Sequence, residues 1–599
     1  MSTGPRRALP DRRAHELFEM QARDRPDAIA AVHGDRQLTY RELNARANQL
    51  ARALVARGVT REAVVGVVSE RNLDWLAAVL AIFKAGAVYL PIEPHFPAER
   101  IAGMLSRAGC GLVLTDGSGV AGRGAACCAP TLNGAPTVLI DAAYAEGHPD
   151  NDLNVPVTPD QLAYIYFTSG STGEPKGAMC EHLGLLNHLF AKIDDLRIDV
   201  GTVVAQTAPQ CFDISLWQLI SGLLVGARTL LVEQEIILDA GRFIDTIAHA
   251  KVNVVQVVPS YLDLLVSYLA QHPRTLEDLR YVVATGEALK KELVERWFAV
   301  QPRIKLVNAY GLTETSDDTN HEIMDRPPPG ERVPLGRPIH NVQIDIVDEH
   351  LSAVPFGEPG EIVFSGVCVG RGYINDPERT QSAFLPDPQR LGGRRYRSGD
   401  YGRWLPDGKL EFLGRRDSQV KISGFRIEIG EIENRLVRLP GVKEAAVVVT
   451  EHAERGKQLA AFYAGPGPLD GGLRQQLRGT LPTYMIPAAF HWLERLPLTS
   501  TGKIDRKALT ALAGERAAAE QTREVPVTAT EQWLATAWAK VLGIPKEQID
   551  RRAHFFELGG TSLSALQLLI ALDRTMSFKE LAAHPILADQ ATLVHGRAP

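Results

Sequence analysis

Tyr166-Phe167-Thr168-Ser169-Gly170-Ser171-Thr172-Gly173-Glu174-Pro175-Lys176-Gly177 sets five hydroxyls, three glycines and one lysine just after the apolar stretch Leu162 to Ile165. Glycines let backbone N–H groups come close to an anion, small hydroxyls add donors, and a lysine adds a mobile positive charge. That is the composition of a loop built to hold phosphate. It is not the G-x-x-x-x-G-K-[ST] loop, because Lys176 precedes Gly177, Ala178 follows, and no Ser or Thr is placed to hold magnesium. The plain alternative is a flexible Gly/Ser surface loop.

Outward from this loop, helical periodicities such as Leu43, Ala47, Leu50, Leu54 alternate with β-branched runs such as Ala63 to Val68 and Val252 to Val258. Such alternation from about Leu38 to Ile374 predicts an α/β architecture with buried sheets. Near Asp417 the character changes: Val420 to Ile422 reads as a strand, Glu428 to Leu436 as a helix and Ala445 to Thr450 as a strand. The division expected is a large domain over 1–416, a small α+β domain over 417–510, a linker over 511–526 and a small helical domain over 527–599. The linker is read from small and charged residues without an apolar stripe. Thr528 and Glu531 have capping-box spacing, and Trp533, Leu534, Ala537, Trp538, Val541 and Leu542 share one helical face.

The 599 residues carry 65 basic and 71 acidic side chains, a net charge of −6, so no pull toward nucleic acid or an anionic membrane is implied. The six cysteines form no C-x-x-C pair or metal-ligand cluster and read as small buried hydrophobes. The basic N-terminus has no apolar segment behind it, and the run Trp75 to Phe83 is too short to span a bilayer, so a cytoplasmic protein is expected.

Further stretches are similar to the adenylate-forming superfamily, and specifically to the adenylation domains of nonribosomal peptide synthetases. These are Leu38 to Leu43, Lys84 to Pro91, Asn308-Ala309-Tyr310-Gly311-Leu312-Thr313-Glu314, Gly360-Glu361-Ile362, Tyr396 to Asp400, Gly414-Arg415-Arg416-Asp417 with Val420-Lys421-Ile422, and Thr501-Gly502-Lys503-Ile504-Asp505-Arg506. They occur in the family's order. The resemblance implies that Thr168, Ser169, Gly170, Ser171, Thr172, Gly173 and Lys176 cradle the ATP phosphates, with Asn308, Tyr310, Asp400 and Arg415 holding the rest of the nucleotide. It implies Glu314 at magnesium, chemically apt because magnesium favours carboxylate oxygen, with the Thr313 hydroxyl donating to the α-phosphate. Lys503 is then the cation between attacking carboxylate and α-phosphate. Asp417 is the hinge about which the small domain rotates between adenylation and thioester formation, and Lys421 lies on the surface exposed by that rotation.

By the same resemblance, Asp213 in Phe212-Asp213-Ile214-Ser215-Leu216-Trp217 binds an amino acid's ammonium group, and a buried carboxylate needs such a cation. The implied substrate pocket is Asp213, Ile214, Trp217, Gln256, Val283, Thr285, Ala309, Asp317, Asp318 and Lys503. Its polar members point to a side chain with a hydroxyl, amide or amine.

The stretch Phe555 to Leu563 resembles a peptidyl carrier domain, in which Ser562 carries 4′-phosphopantetheine. Thr561 departs from the usual Asp or His, and the loop before Met576 is short. Neither a condensation His-His-x-x-x-Asp-Gly motif nor a thioesterase G-x-S-x-G elbow is present. The expectation is a loading or stand-alone didomain that uses ATP and Mg2+ to activate an amino acid. Its implied partners are a phosphopantetheinyl transferase, a condensation or tailoring enzyme in trans and an MbtH-like protein. The alternatives are an acyl- or aryl-CoA ligase with an added helical domain, and an inactive nucleotide-binding scaffold that presents a carrier.

Overall fold

The computed structural model describes residues 2–117, 131–132, 134–170, 174–415, 419–422, 424–452, 456–469, 472–498, 504–519, 526–556, 558, 560, 562–573 and 575–594. Three sheets build the large domain. The first includes strands Val64–Val68, Val88–Ile92 and Leu162–Thr168, the last of which hands the chain to the glycine-rich loop. The Glu62 carboxylate accepts the Leu162 N–H at 2.7 Å and so ties the start of that strand in place. The second sheet runs parallel through Arg228–Leu231, Val203–Gln206, Val254–Val257, Tyr281–Ala284 and Lys305–Leu312, then turns antiparallel into Asp317–Met324. The third is antiparallel, with Val342–Val347, Gly360–Gly366, Arg394–Trp404 and Leu410–Arg415.

The first two sheets pack face to face over helix Leu73–Lys84, in which Leu73 and Trp75 to Lys84 are all buried. A helix apolar all round belongs between layers, and each large side chain hidden there contributes about 1.5–3 kcal/mol. Lys84 survives in that setting because Glu19 and Asp152 receive its ammonium.

The small domain holds a hairpin, Gln419–Ile422 with Phe425–Glu428, then helix Ile429–Val437 and a sheet of Glu444–His452, Gly456–Ala464 and Ala489–Leu493. These agree with the strand and helix readings within two residues at each end. The expected linker start is corrected. Helix Arg506–Ala519 runs through its first half, and Leu509 and Ala513, four apart on one face, pack against Ala446, Val448 and Phe462 of the sheet.

The last domain is helical, with Ala529–Leu542, Ser562–Ala571, Phe578–Ala583 and Leu587–Leu593. Thr528 and Glu531 form the capping box read from the sequence, and Trp538 donates to Gln590 Oε1 at 3.0 Å inside the bundle. Helix Ser562–Ala571 lies against helix Pro259–Gln271 of the large domain. Among the described residues no helix is long and apolar enough to cross a membrane.

Candidate active site

The parallel strands of the second sheet end on a cavity of about 620 Å³. Ligands of open α/β sheets sit outside the carboxyl ends of the strands, and this volume suits a nucleotide-sized molecule. Gln256, Thr285 and the segment Asn308 to Thr313 reach it from three successive strand ends, and Asp213, Ile214, Asp317 and Asp318 close one side. Thr168 and Ser169 reach it from the glycine-rich loop, and Lys421 from the small domain.

Two expected pocket residues stand behind the wall instead. Trp217 is buried and donates to Gln256 Oε1 at 2.6 Å, so it orients a lining residue without lining the cavity itself. Val283 pairs with Gln256 in the sheet and shares its face with Gln256 and Thr285, but its side chain is buried in the core beneath the cavity rather than lining it.

Asp213 caps its own helix, accepting Ile214 N–H at 3.0 Å. Burial pushes its carboxyl up to about 6, partly opposed by a hydrogen bond from Thr313 and reinforced by Asp318. Asp317 follows Ser316 in left-handed backbone, with φ of 81° and 56°, which turns the chain back into the antiparallel strand. Asp318 receives Lys192 Nζ at 2.6 Å and Thr285 Oγ1 at 3.2 Å. Burial opposes its ionisation most, but Lys192 together with His321 and His188 outweighs it and holds the carboxyl well below the usual range.

Glu314 is fully buried and surrounded by donors. Arg426 meets Oε2 at 2.8 Å, and Oε1 receives the Tyr373 hydroxyl at 2.8 Å with Lys176 Nζ at 3.2 Å. Burial opposes the charge, yet Arg426 and Lys176 hold the group well below its ordinary value. Both oxygens are therefore committed, and in this arrangement the expected magnesium ligand does not fit the ion. Arg426 comes from the small domain's hairpin, which is why its presence here is a matter of domain placement.

The nucleotide residues also come together. Tyr310 donates to Asp400 Oδ2 at 2.6 Å and Arg415 pairs with the same carboxylate, so Asp400 is held by two neighbours and sits outside the cavity lining. Asn308 donates to Pro334 O at 2.8 Å. Lys421 Nζ lies 6.0 Å from the Tyr310 ring centre. Lys421 lines the cavity, and burial lowers its pKa against the pull of Asp400.

The hairpin is docked by several bonds. Ser169 donates to Arg426 O at 2.7 Å and accepts Glu428 N–H at 3.0 Å. Gly170 N–H reaches Glu431 at 3.3 Å, and Arg100 pairs with Glu431 at 2.9 Å. Phe425 stacks on Tyr484 at 3.8 Å and meets Phe212 at 5.1 Å. Gly424, at φ +80°, donates to Glu287 at 2.9 Å, and a side chain there would strike Val258 at 2.5 Å.

Ser562 begins its helix. Two residues before it, a side chain on Gly560 would meet the Phe555 ring at 2.5 Å, so the backbone at Gly560 passes close against the bundle core. Ser171, Thr172, Gly173, Asp417, Lys503 and Thr561 lie outside the described residues.

Sequence reading missed Lys192, His188, Arg426 and Tyr373. The signal for Lys192 was available, since it falls on the apolar side of helix His182–Asp195 among Leu185, Leu189 and Ile193. Arg426 carried no such periodic signal.

Residues 18–374 match the family described as AMP-binding enzyme, 431–503 the AMP-binding enzyme C-terminal domain, and 532–594 the phosphopantetheine attachment site. Bacitracin synthase 2 of Bacillus licheniformis is 37% identical over 583 residues, covering 96% of this chain and 22% of that protein. Tyrocidine synthase 1 of Brevibacillus parabrevis is 35% identical over 593 residues, covering 97% of this chain and 52% of that protein. The chain thus spans from about a fifth to about half of these two relatives. A solved NRPS protein containing adenylation and PCP domains, in holo form with a vinylsulfonamide inhibitor, superposes with a TM-score of 0.81 at 29% identity, covering 98% of this chain and 96% of that one. With an AMP-binding region followed by the matching C-terminal domain and a phosphopantetheine attachment site, the chain belongs to the family of AMP-binding enzymes.

Proposed function

We propose that the protein activates an α-amino acid with ATP as aminoacyl-AMP, releases pyrophosphate, and passes the acyl group as a thioester to 4′-phosphopantetheine on its own Ser562. The observation that carries this reading is one cavity lined together by Asp213, Thr313, Tyr310 and the start of the glycine-rich loop, with Thr313 close enough to hydrogen-bond Asp213. An amino acid with its ammonium on Asp213 would set its carboxylate toward Thr313 and the loop, where ATP is attacked. Lys503 is assigned the charge between the two anions. ATP enters with magnesium, which neutralises its phosphates.

Rotation about Asp417 would exchange Lys503 for the hairpin carrying Lys421 and Arg426. The docked hairpin brings Phe425, stacked on Tyr484, to the cavity wall beside Lys421 and Arg426, which supports this arrangement as the one suited to thioester formation. A phosphopantetheinyl transferase would supply the arm, a condensation or tailoring enzyme would take the product, and an MbtH-like protein is a candidate activator. The test is amino-acid-dependent ATP/pyrophosphate exchange together with loading of the holo carrier. Exchange with an aryl or fatty acid, and none with any amino acid, would overturn the assignment of Asp213.

A further inference from the structure

The polar groups at the inner end of the cavity are not equally occupied. Asp318 is satisfied by Lys192 at 2.6 Å, whose ammonium also lies 4.8 Å from the Trp217 ring. His321 lies near the same carboxylate at 3.9 Å but is bonded through Nδ1 to Asp195 at 2.7 Å. Among the described residues, Asp317 has no such cation in contact. Its side chain is 6% exposed and its Oδ2 has no hydrogen-bond partner. His188 Nδ1 lies 3.5 Å away, and burial holds that imidazole well below its ordinary pKa, so it is neutral.

His188, Asp317 and Asp318 also stand close enough together to suggest a metal ion. Lys192 already supplies the cation that such a cluster needs. Charge balance then decides what this end of the cavity lacks. Among the described residues, Lys192 is the lysine in contact with this group of Asp213, Asp317 and Asp318, while Lys421 lies by the Tyr310 ring and acts on Asp318 from farther off. An amino acid's ammonium on Asp213 still leaves Asp317 without a cation in contact; burial, with Asp318 and Asp213 beside it, raises its carboxyl well above the ordinary range, so it keeps its proton until a cation comes against it.

Resting on the proposed amino-acid activation, we infer that Asp317 recognises a second cation, so that the substrate is an amino acid whose side chain ends in an amine or guanidine. One observation pulls the other way. Gln256 Nε2, fixed in orientation by Trp217, is also unpartnered and would suit an oxygen, as in a carboxamide or ureido side chain. A charge-assisted bond from a cationic side chain to Asp317 is about twice as strong as a neutral one to the Gln256 amide, so the cation prevails.

The test compares basic amino acids with neutral isosteres in ATP/pyrophosphate exchange by the full chain: lysine against norleucine, arginine against citrulline. A basic substrate is expected to exceed its isostere by about 100-fold in kcat/KM, and Asp317→Asn to remove most of that gap through KM. Exchange confined to neutral amino acids, or a preference for citrulline over arginine, overturns the inference while leaving amino-acid activation intact. Absence of exchange with every amino acid overturns activation itself. Calorimetry of the wild-type chain with lysyl- and norleucyl-sulfamoyl adenosines reads the same preference without turnover or a variant. Equal affinity for the two would also refute a role for Asp317 in recognising charge.

Discussion

Replacing Arg100 with alanine removes the buried ion pair that fastens the small domain's first helix to the large domain. The two side chains are 5% and 0% exposed and meet at 2.9 Å. Removing one partner of a buried pair costs about 3–5 kcal/mol, because the other charge stays behind without compensation. Glu431 keeps the Gly170 N–H at 3.3 Å, which places the expected cost at the low end, about 3 kcal/mol. At 1.4 kcal/mol per factor of ten, the docked arrangement loses about 100-fold in population. Only docking depends on this contact, so single-turnover loading of the holo carrier should fall by about that factor, while pyrophosphate exchange stays within about threefold. Glu431→Gln and the double variant complete a mutant cycle that isolates the pair from the rest of the interface. Equal loss of exchange and loading, or loading that survives Arg100→Ala, would refute the reasoning.

Lys503→Ala is expected to abolish exchange, whereas Ser562→Ala leaves exchange intact and removes loading; equal loss of exchange in both would break that division of labour. Asp213 must be ionised to hold an ammonium, and its carboxyl is raised to about 6. The amino acid's KM should therefore climb as pH falls through that value, by up to about tenfold per unit, and a pH profile that is flat down to about 5 would count against Asp213. Trp538→Ala empties the carrier core and breaks the bond to Gln590, so the carrier's stability should drop by about 3–5 kcal/mol; calorimetry showing an unchanged transition would contradict that packing.

The β-branched runs Val64–Val68 and Val254–Val257 were legible because both faces of their sheets are covered, which leaves nearly unbroken apolar sequence. The capping box at Thr528 and Glu531 was legible because it is a local device. Helix Arg506–Ala519 was not, since Leu509, Leu512 and Ala513 alone mark its described inward face, too short a run to stand out as an apolar stripe. In the site, motif order brought out Asp213, Tyr310 and Thr313, all of which line the cavity. Trp217 and Val283 were carried along by position, although only a structure separates a lining residue from the one that supports it. Arg426 at Glu314 and Lys192 at Asp318 are long-range partners, and no local spacing encodes them.

The helix Arg506–Ala519 also changes how far the carrier can travel. A tether of the expected length, from Thr510 to Val527, could stretch about 60 Å, whereas the roughly ten steps from Ala519 to Ala529 allow at most about 35 Å. The attachment point is the end of a helix packed on the small domain's sheet. Whatever turns that domain therefore moves the anchor of the tether, and the serine's search volume moves with it. Delivery of the arm becomes a property of the small domain's orientation rather than of free diffusion on a long leash, and lengthening the 520–528 segment should weaken the link between the two.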